Sequence, residues 1–135
     1  MIQYVLDTNA CIELIRQRSQ RVLSRLQQCA PGSVGISSIT LAELYYGVAR
    51  SSDPQRNLLA LTQFCAPIEI LPFDDRAAAV YGTVRQSLEQ KGTKAGPLDT
   101  LIAAHSLSEG ATLVTDNVRE FRHVSGLKIE NWLRP

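Results

Sequence analysis

The chain has 135 residues, 44% of them hydrophobic, with 14 Lys and Arg against 13 Asp and Glu. That length predicts a single domain over 1–135, able to bury a core without disulfide or metal staples. No apolar run approaches the roughly 18 residues of a membrane-spanning helix. The start, MIQYVLDTN, lacks the basic flank and long apolar stretch of a secretory signal. Cys11, Cys29 and Cys65 form neither a CxxC nor a Cys/His cluster. The expectation is a cytoplasmic protein with no membrane attachment.

Residues 2–6 (IQYVL) read as a short buried strand, closed by Asp7, with Thr8 or Asn9 able to cap a helix. Helices follow over 10–17 and 20–29, then a small strand over 34–37. Ser37-Ser38 opens a third helix whose apolar positions Ile39, Ala42, Tyr45, Tyr46 and Ala49 keep helical spacing. Tyr45 and Tyr46, being adjacent, cannot both face one core direction, so one suits a partner surface. Pro54 starts a helix to about residue 64, and 67–71 alternates as a strand. A helix over 74–90 carries the stripe Ala77, Tyr81, Val84 and Leu88. Gly96-Pro97 precedes a helix over 98–109, with Leu98, Leu101, Ile102 and His105 on its inner face. Residues 112–115 form another buried strand, and 127–129 a last short one. His105 on that apolar face reads as a hydrogen-bonded core histidine. Arg16, Arg18, Arg21 and Arg25 read as a solvated helix face.

Strands alternating with helices predict an α/β domain whose parallel sheet is covered on both faces. In such sheets ligands bind beyond the carboxyl ends of the strands, and four acids fall there. Asp7 ends the first strand, Glu43 lies early in the helix after the second, Asp99 opens the helix that feeds 112–115, and Asp116 follows that strand. Singly, each has an ordinary explanation as a cap, a helix-dipole acid or a turn residue. Jointly they predict a carboxylate cluster, whose members raise one another's pKa unless a cation neutralises them. Oxygen-only ligands favour Mg²⁺ or Mn²⁺. Setting the four acids aside leaves nine acidic against fourteen basic residues, an excess of five positive charges that permits a nucleic-acid substrate.

Four blocks carry a resemblance: LDTN at 6–9, SSITLAEL at 37–44, GPLDTLIAAH at 96–105 and LVTDNVREF at 113–121. In this order they resemble PIN-domain nucleases and, more narrowly, the VapC toxins of bacterial VapBC toxin–antitoxin systems. The resemblance implies a three-layer α/β/α PIN-like domain with a mostly parallel sheet of four to five strands. It implies a Mg²⁺- or Mn²⁺-dependent endoribonuclease, inhibited by a VapB-type antitoxin and dimeric. Some relatives of this appearance cut the anticodon loop of initiator tRNA. By position Asp7, Glu43 and Asp99 match the central acids, with Asp7 and Asp99 as direct metal ligands. Thr8, Asn9, Ser38 and Thr115 match supporting polar residues. The fourth acid departs from the pattern: many PIN domains carry it where this chain has Asn117, whereas Asp116 stands one residue earlier, leaving either as the contributor. The alternatives are a catalytically silent PIN-like binding module and a small α/β phosphate-handling domain.

Overall fold

The computed structural model describes residues 1–16, 20–93 and 95–133. Its sheet has five strands: β1 (Tyr4–Leu6), β2 (Val34–Ser37), β3 (Glu69–Leu71), β4 (Thr112–Val114) and β5 (Lys128–Glu130). Their order is β3-β2-β1-β4-β5 and every pairing is parallel. The sheet is thus wholly rather than mostly parallel. Among the described residues seven helices cover it: α1 (Thr8–Ile15), α2 (Gln20–Gln27), α3 (Ser38–Ala49), α4 (Pro54–Cys65), α5 (Asp75–Gln90), α6 (Pro97–Ser108) and the short α7 (Val118–Phe121). None of them is long and apolar enough to cross a membrane. Gln17 and Arg18, expected in a helix and in a basic face, lie outside the described residues.

Alternate side chains of a strand face opposite ways, so β1 feeds two cores. Leu6 joins Ile36, Val114, Leu14 and Leu44 in a core on the α1–α4 side. Val5 joins Leu113, Ile102, Val84 and Phe121 in a second core against α5 and α6. A continuous apolar run such as Tyr4–Leu6 suits a strand buried on both faces. Gly35 allows β2 and β3 to approach: a Cβ there would stand 2.9 Å from the Glu69 carbonyl oxygen and 3.1 Å from Leu71 Cδ1. Capping by acids fixes the helix starts. Asp7, Asp53 and Asp74 each accept a backbone N–H of the first turn of α1, α4 and α5, respectively.

Several expectations shift. The third strand begins at Glu69, not at 67, and lies at a sheet edge with Glu69 and Ile70 exposed. The expected stripe on α3 is not its core face. Thr40 and Leu44 are buried, with Leu41 and Val48 packed beside them, while Ala42, Tyr45, Tyr46 and Ala49 are exposed. This helix is apolar on two sides, and the packing against α1 and α4 uses the other one. Leu98, expected inside, is 45% exposed because α6 turns Thr100, Ile102 and Ala103 inward instead. His105 is a hydrogen-bonded core histidine: Nδ1 lies 2.7 Å from Ser37 Oγ, and burial pushes its pKa down.

Candidate active site

The chain runs outward from β1 through β2 to β3, then returns to build β4 and β5 on the opposite side. The switch point therefore lies between β1 and β4, where open α/β sheets bind ligands. Asp7 leaves β1 there while still tied to its neighbour, its N–H donating to the Val114 carbonyl at 3.0 Å. It is buried, and its Oδ1 accepts the Ala10 N–H at 2.8 Å. Burial raises the Asp7 pKa to about 6 from its ordinary 3.8, against hydrogen bonds from Thr115 and Ala10, with the charges of Asp116 and Glu43 adding to the rise.

Asp99 sits in the first turn of α6, where the helix dipole favours its anion. Burial and crowding win nonetheless, lifting its pKa to about 6 through desolvation and then the charges of Glu120, Asp7 and Glu43. Glu43 reaches in from α3, and its Oε1 accepts the Thr8 hydroxyl at 2.6 Å. Asp7, Thr8, Asn9, Glu43, Asp99, Asn117 and Phe121 together line one cleft of about 210 Å³. A roomier cavity lies between α5 and the 124–125 turn, but its lining holds no acid.

Two expected residues stand apart from this cleft. Asp116 is near enough to oppose ionisation of Asp7, yet the wall at this point is Asn117. The chain bends at Asp116 just past the end of β4, and Asn117 rather than Asp116 lines the cleft. Ser38 directs its hydroxyl elsewhere, accepting the Phe73 N–H at 3.0 Å. Thr115 is buried behind Asp7, and its Oγ1 accepts the Asn117 N–H at 2.9 Å.

Glu120 is a site residue that sequence reasoning missed. Its Oε1 accepts the Gly96 N–H at 2.7 Å, and its Oε2 accepts the Asn117 side-chain amide. It thereby clips the entry of α6 to α7 and sets a fourth carboxylate beside Asp99. The available signal was Asn117-x-x-Glu120, the spacing of an N-cap and the acid three residues after it.

The donor set is all oxygen, and no lysine or arginine lines the cleft among the described residues. The carboxylates therefore need a cation from solution once ionised. Among the described residues no three acids already form a cation cage.

A PIN domain model matches residues 4–127. The chain is 43% identical over 133 residues to Ribonuclease VapC2 of Haemophilus influenzae, covering 98% of this chain and 100% of that protein. It is 41% identical over 132 residues to the tRNA(fMet)-specific endonuclease VapC of Salmonella typhimurium, covering 98% and 99% respectively. In structure it is similar to the DNA-bound VapBC of Salmonella typhimurium, with a TM-score of 0.93 at 41% identity over 98% of this chain and 99% of that one. The promoter-bound VapBC2 of Rickettsia felis gives a TM-score of 0.92 at the same identity and coverage.

Proposed function

Because the chain belongs to the PIN-domain family, in its VapC branch, we propose that it is a metal-dependent endoribonuclease and the toxin of a toxin–antitoxin pair. The observation that carries this reading is the convergence of Asp7, Glu43 and Asp99 in a cleft lined, among the described residues, by no lysine or arginine. Asp7 and Asp99 would hold the ion, with Glu43 completing the site. Mg²⁺, or Mn²⁺ in its place, would supply polarisation of the phosphoryl oxygen and activation of water. The chain's own part is geometry. Ala10 N–H and the Thr115 hydroxyl fix the Asp7 carboxylate. Thr8 engages one Glu43 oxygen, leaving the other to accept a proton from the attacking water. Glu120 keeps α6, and with it Asp99, seated against α7. In-line attack leaves a 5′-phosphate and a 3′-hydroxyl.

The substrate we assign is initiator tRNA, on the strength of the relatives named for tRNA(fMet); the anticodon loop is the cut site that the family resemblance implies. The partner is a VapB-type antitoxin. A groove of about 200 Å³ between α1, α3 and α4 opens on Glu43, walled by Ile12, Ile15, Leu44 and Val48 with Arg16 and Arg50. An antitoxin segment laid there covers the cleft mouth. The exposed Tyr45 and Tyr46 suit a further protein surface, that of a homodimer or the antitoxin. The setting is the cytoplasm. A silent-module reading draws on the displaced Asp116, and Glu120 removes that support by bringing another carboxylate to Asp99.

Purified protein incubated with bacterial tRNA tests the reading. We expect discrete fragments with 5′-phosphate ends in Mg²⁺, none with a chelator and none from Asp7→Asn. Cleavage that persists in the chelator, or equally in the variant, would sink it.

A further inference from the structure

Ser37, Ser38 and His105 belong to the blocks SSITLAEL and GPLDTLIAAH, yet none of them lines the acidic cleft. The structure connects them through one buried imidazole. His105 Nδ1 lies 2.7 Å from Ser37 Oγ, and both residues are buried. Ser38 Oγ accepts the Phe73 N–H at 3.0 Å, and the Phe73 ring stands nearly perpendicular to the imidazole, their centroids 5.3 Å apart. Ser37 is also the N-cap of α3, accepting the Ile39 N–H at 3.1 Å.

A serine hydroxyl carries a single hydrogen. Ser37 Oγ already accepts from Ile39, so that hydrogen needs an acceptor, and Nδ1 is within reach. Burial holds the His105 pKa below its ordinary 6.5, against the charges of Glu109 and Asp74, so the ring is neutral at pH 7. Donation from Ser37 to Nδ1 leaves the ring proton on Nε2, facing the Glu109 carboxylate 3.9 Å away. The opposite tautomer strands the serine hydrogen and turns a lone pair toward that carboxylate.

The two partners of this bond stand at matching distances from the cleft. Asp99 lies six residues before His105 on α6, and Glu43 six residues after Ser37 along α3. Each interval covers about 9 Å of helix, and both lead into the same cleft. The two helices therefore meet twice, once at the buried bond and once at the acids. At the acids they repel, since the Glu43 charge helps to oppose ionisation of Asp99.

We infer that the bond donated by Ser37 to His105 is a positioning tie, which sets α3 against α6 and so fixes how far apart Glu43 and Asp99 stand. This rests on the nuclease reading, in which those acids serve a metal ion.

Calorimetric titration of Mn²⁺ into the whole protein tests the tie. Buried links of this kind shift a distant site modestly, so His105→Leu and Ser37→Ala should each weaken Mn²⁺ binding about fivefold. The double variant should be no weaker than either single one. His105→Asn keeps an acceptor near the Nδ1 position and should recover most of the loss, and tRNA cleavage by His105→Leu should return at raised Mn²⁺. Nitrogen-15 shifts of His105 in metal-free parent protein should show the proton on Nε2. A proton on Nδ1, additive losses, or lowered urea stability with Mn²⁺ binding unchanged would overturn the tie while leaving the nuclease intact. No Mn²⁺ binding by the unsubstituted protein would remove the metal-site reading and the tie with it.

Discussion

Helices α3 and α6 both have twelve residues and each brings one acid to the cleft. In α6 the consecutive residues from Ile102 to Ser106 are all buried, so the middle of the helix is enclosed between α5, the sheet and α3, while Pro97 and Leu98 in its first turn are exposed. In α3 only Thr40 and Leu44 are buried, and Tyr45 and Tyr46 face outward at 51% and 67% exposure. Asp99 thus stands one turn ahead of a close-packed stretch that resists displacement. Glu43 depends on a single side-chain bond to Thr8 and on whatever covers the outer face of α3. One wall of the cleft is set by folding alone, and the other is open to adjustment by a partner.

Asp7, between those walls, gives the largest expected effect on stability. Its folded pKa of about 6 exceeds its ordinary 3.8, so the native state binds the extra proton between those values. Stability attributable to Asp7 is then full near pH 3.5 and is lost as pH rises through 6. Removing the charge with Asp7→Asn should therefore stabilise metal-free protein at pH 7.5 by up to about 3 kcal/mol, and by nothing near pH 3.5. Urea melts in chelator at the two pH values check this, and an equal difference at both would refute it.

Filling the enclosed wall comes next. Ala104→Leu places three extra carbons where the parent residue has no exposure, and should cost about 1–3 kcal/mol in thermal or urea unfolding. A neutral result would mean that α6 has slack, and the contrast with α3 would collapse. Thr8→Val keeps the shape and removes the hydroxyl from Glu43. Losing a supporting bond of this kind should weaken Mn²⁺ binding about tenfold, read by calorimetry, with melting unchanged. Tyr46→Ser should move stability by less than about 0.5 kcal/mol but lower self-association in sedimentation. A large loss of stability there would show that the outer face of α3 supports the monomer.

Asp7 and Asp99 were legible because their placement needs only local reasoning: a short apolar run, an acid and a cap for Asp7, and the first turn of a helix opened by Gly96-Pro97 for Asp99; the cleft gathers both with Glu43. Glu120 was not legible. It acts on Gly96, 24 residues earlier, from a helix of four residues, too short to show any period. The α3 stripe failed for another reason. Hydrophobic spacing identifies an apolar face without saying which neighbour covers it, and α3 has two such faces. Leu98 misled in the same way. The Asn117 wall needed the direction of a single side chain after β4, which periodicity does not fix once a strand has ended.

The strand order has a consequence for synthesis. β1 comes before the other four strands in chain order, yet it is the middle of the sheet and stays unpaired on one side until Thr112–Val114 has been made. Asn117 and Glu120 emerge later still. A nascent chain halted before them lacks the Asn117 wall of the cleft and the Glu120 clip on α6, so the cleft is completed only late in synthesis.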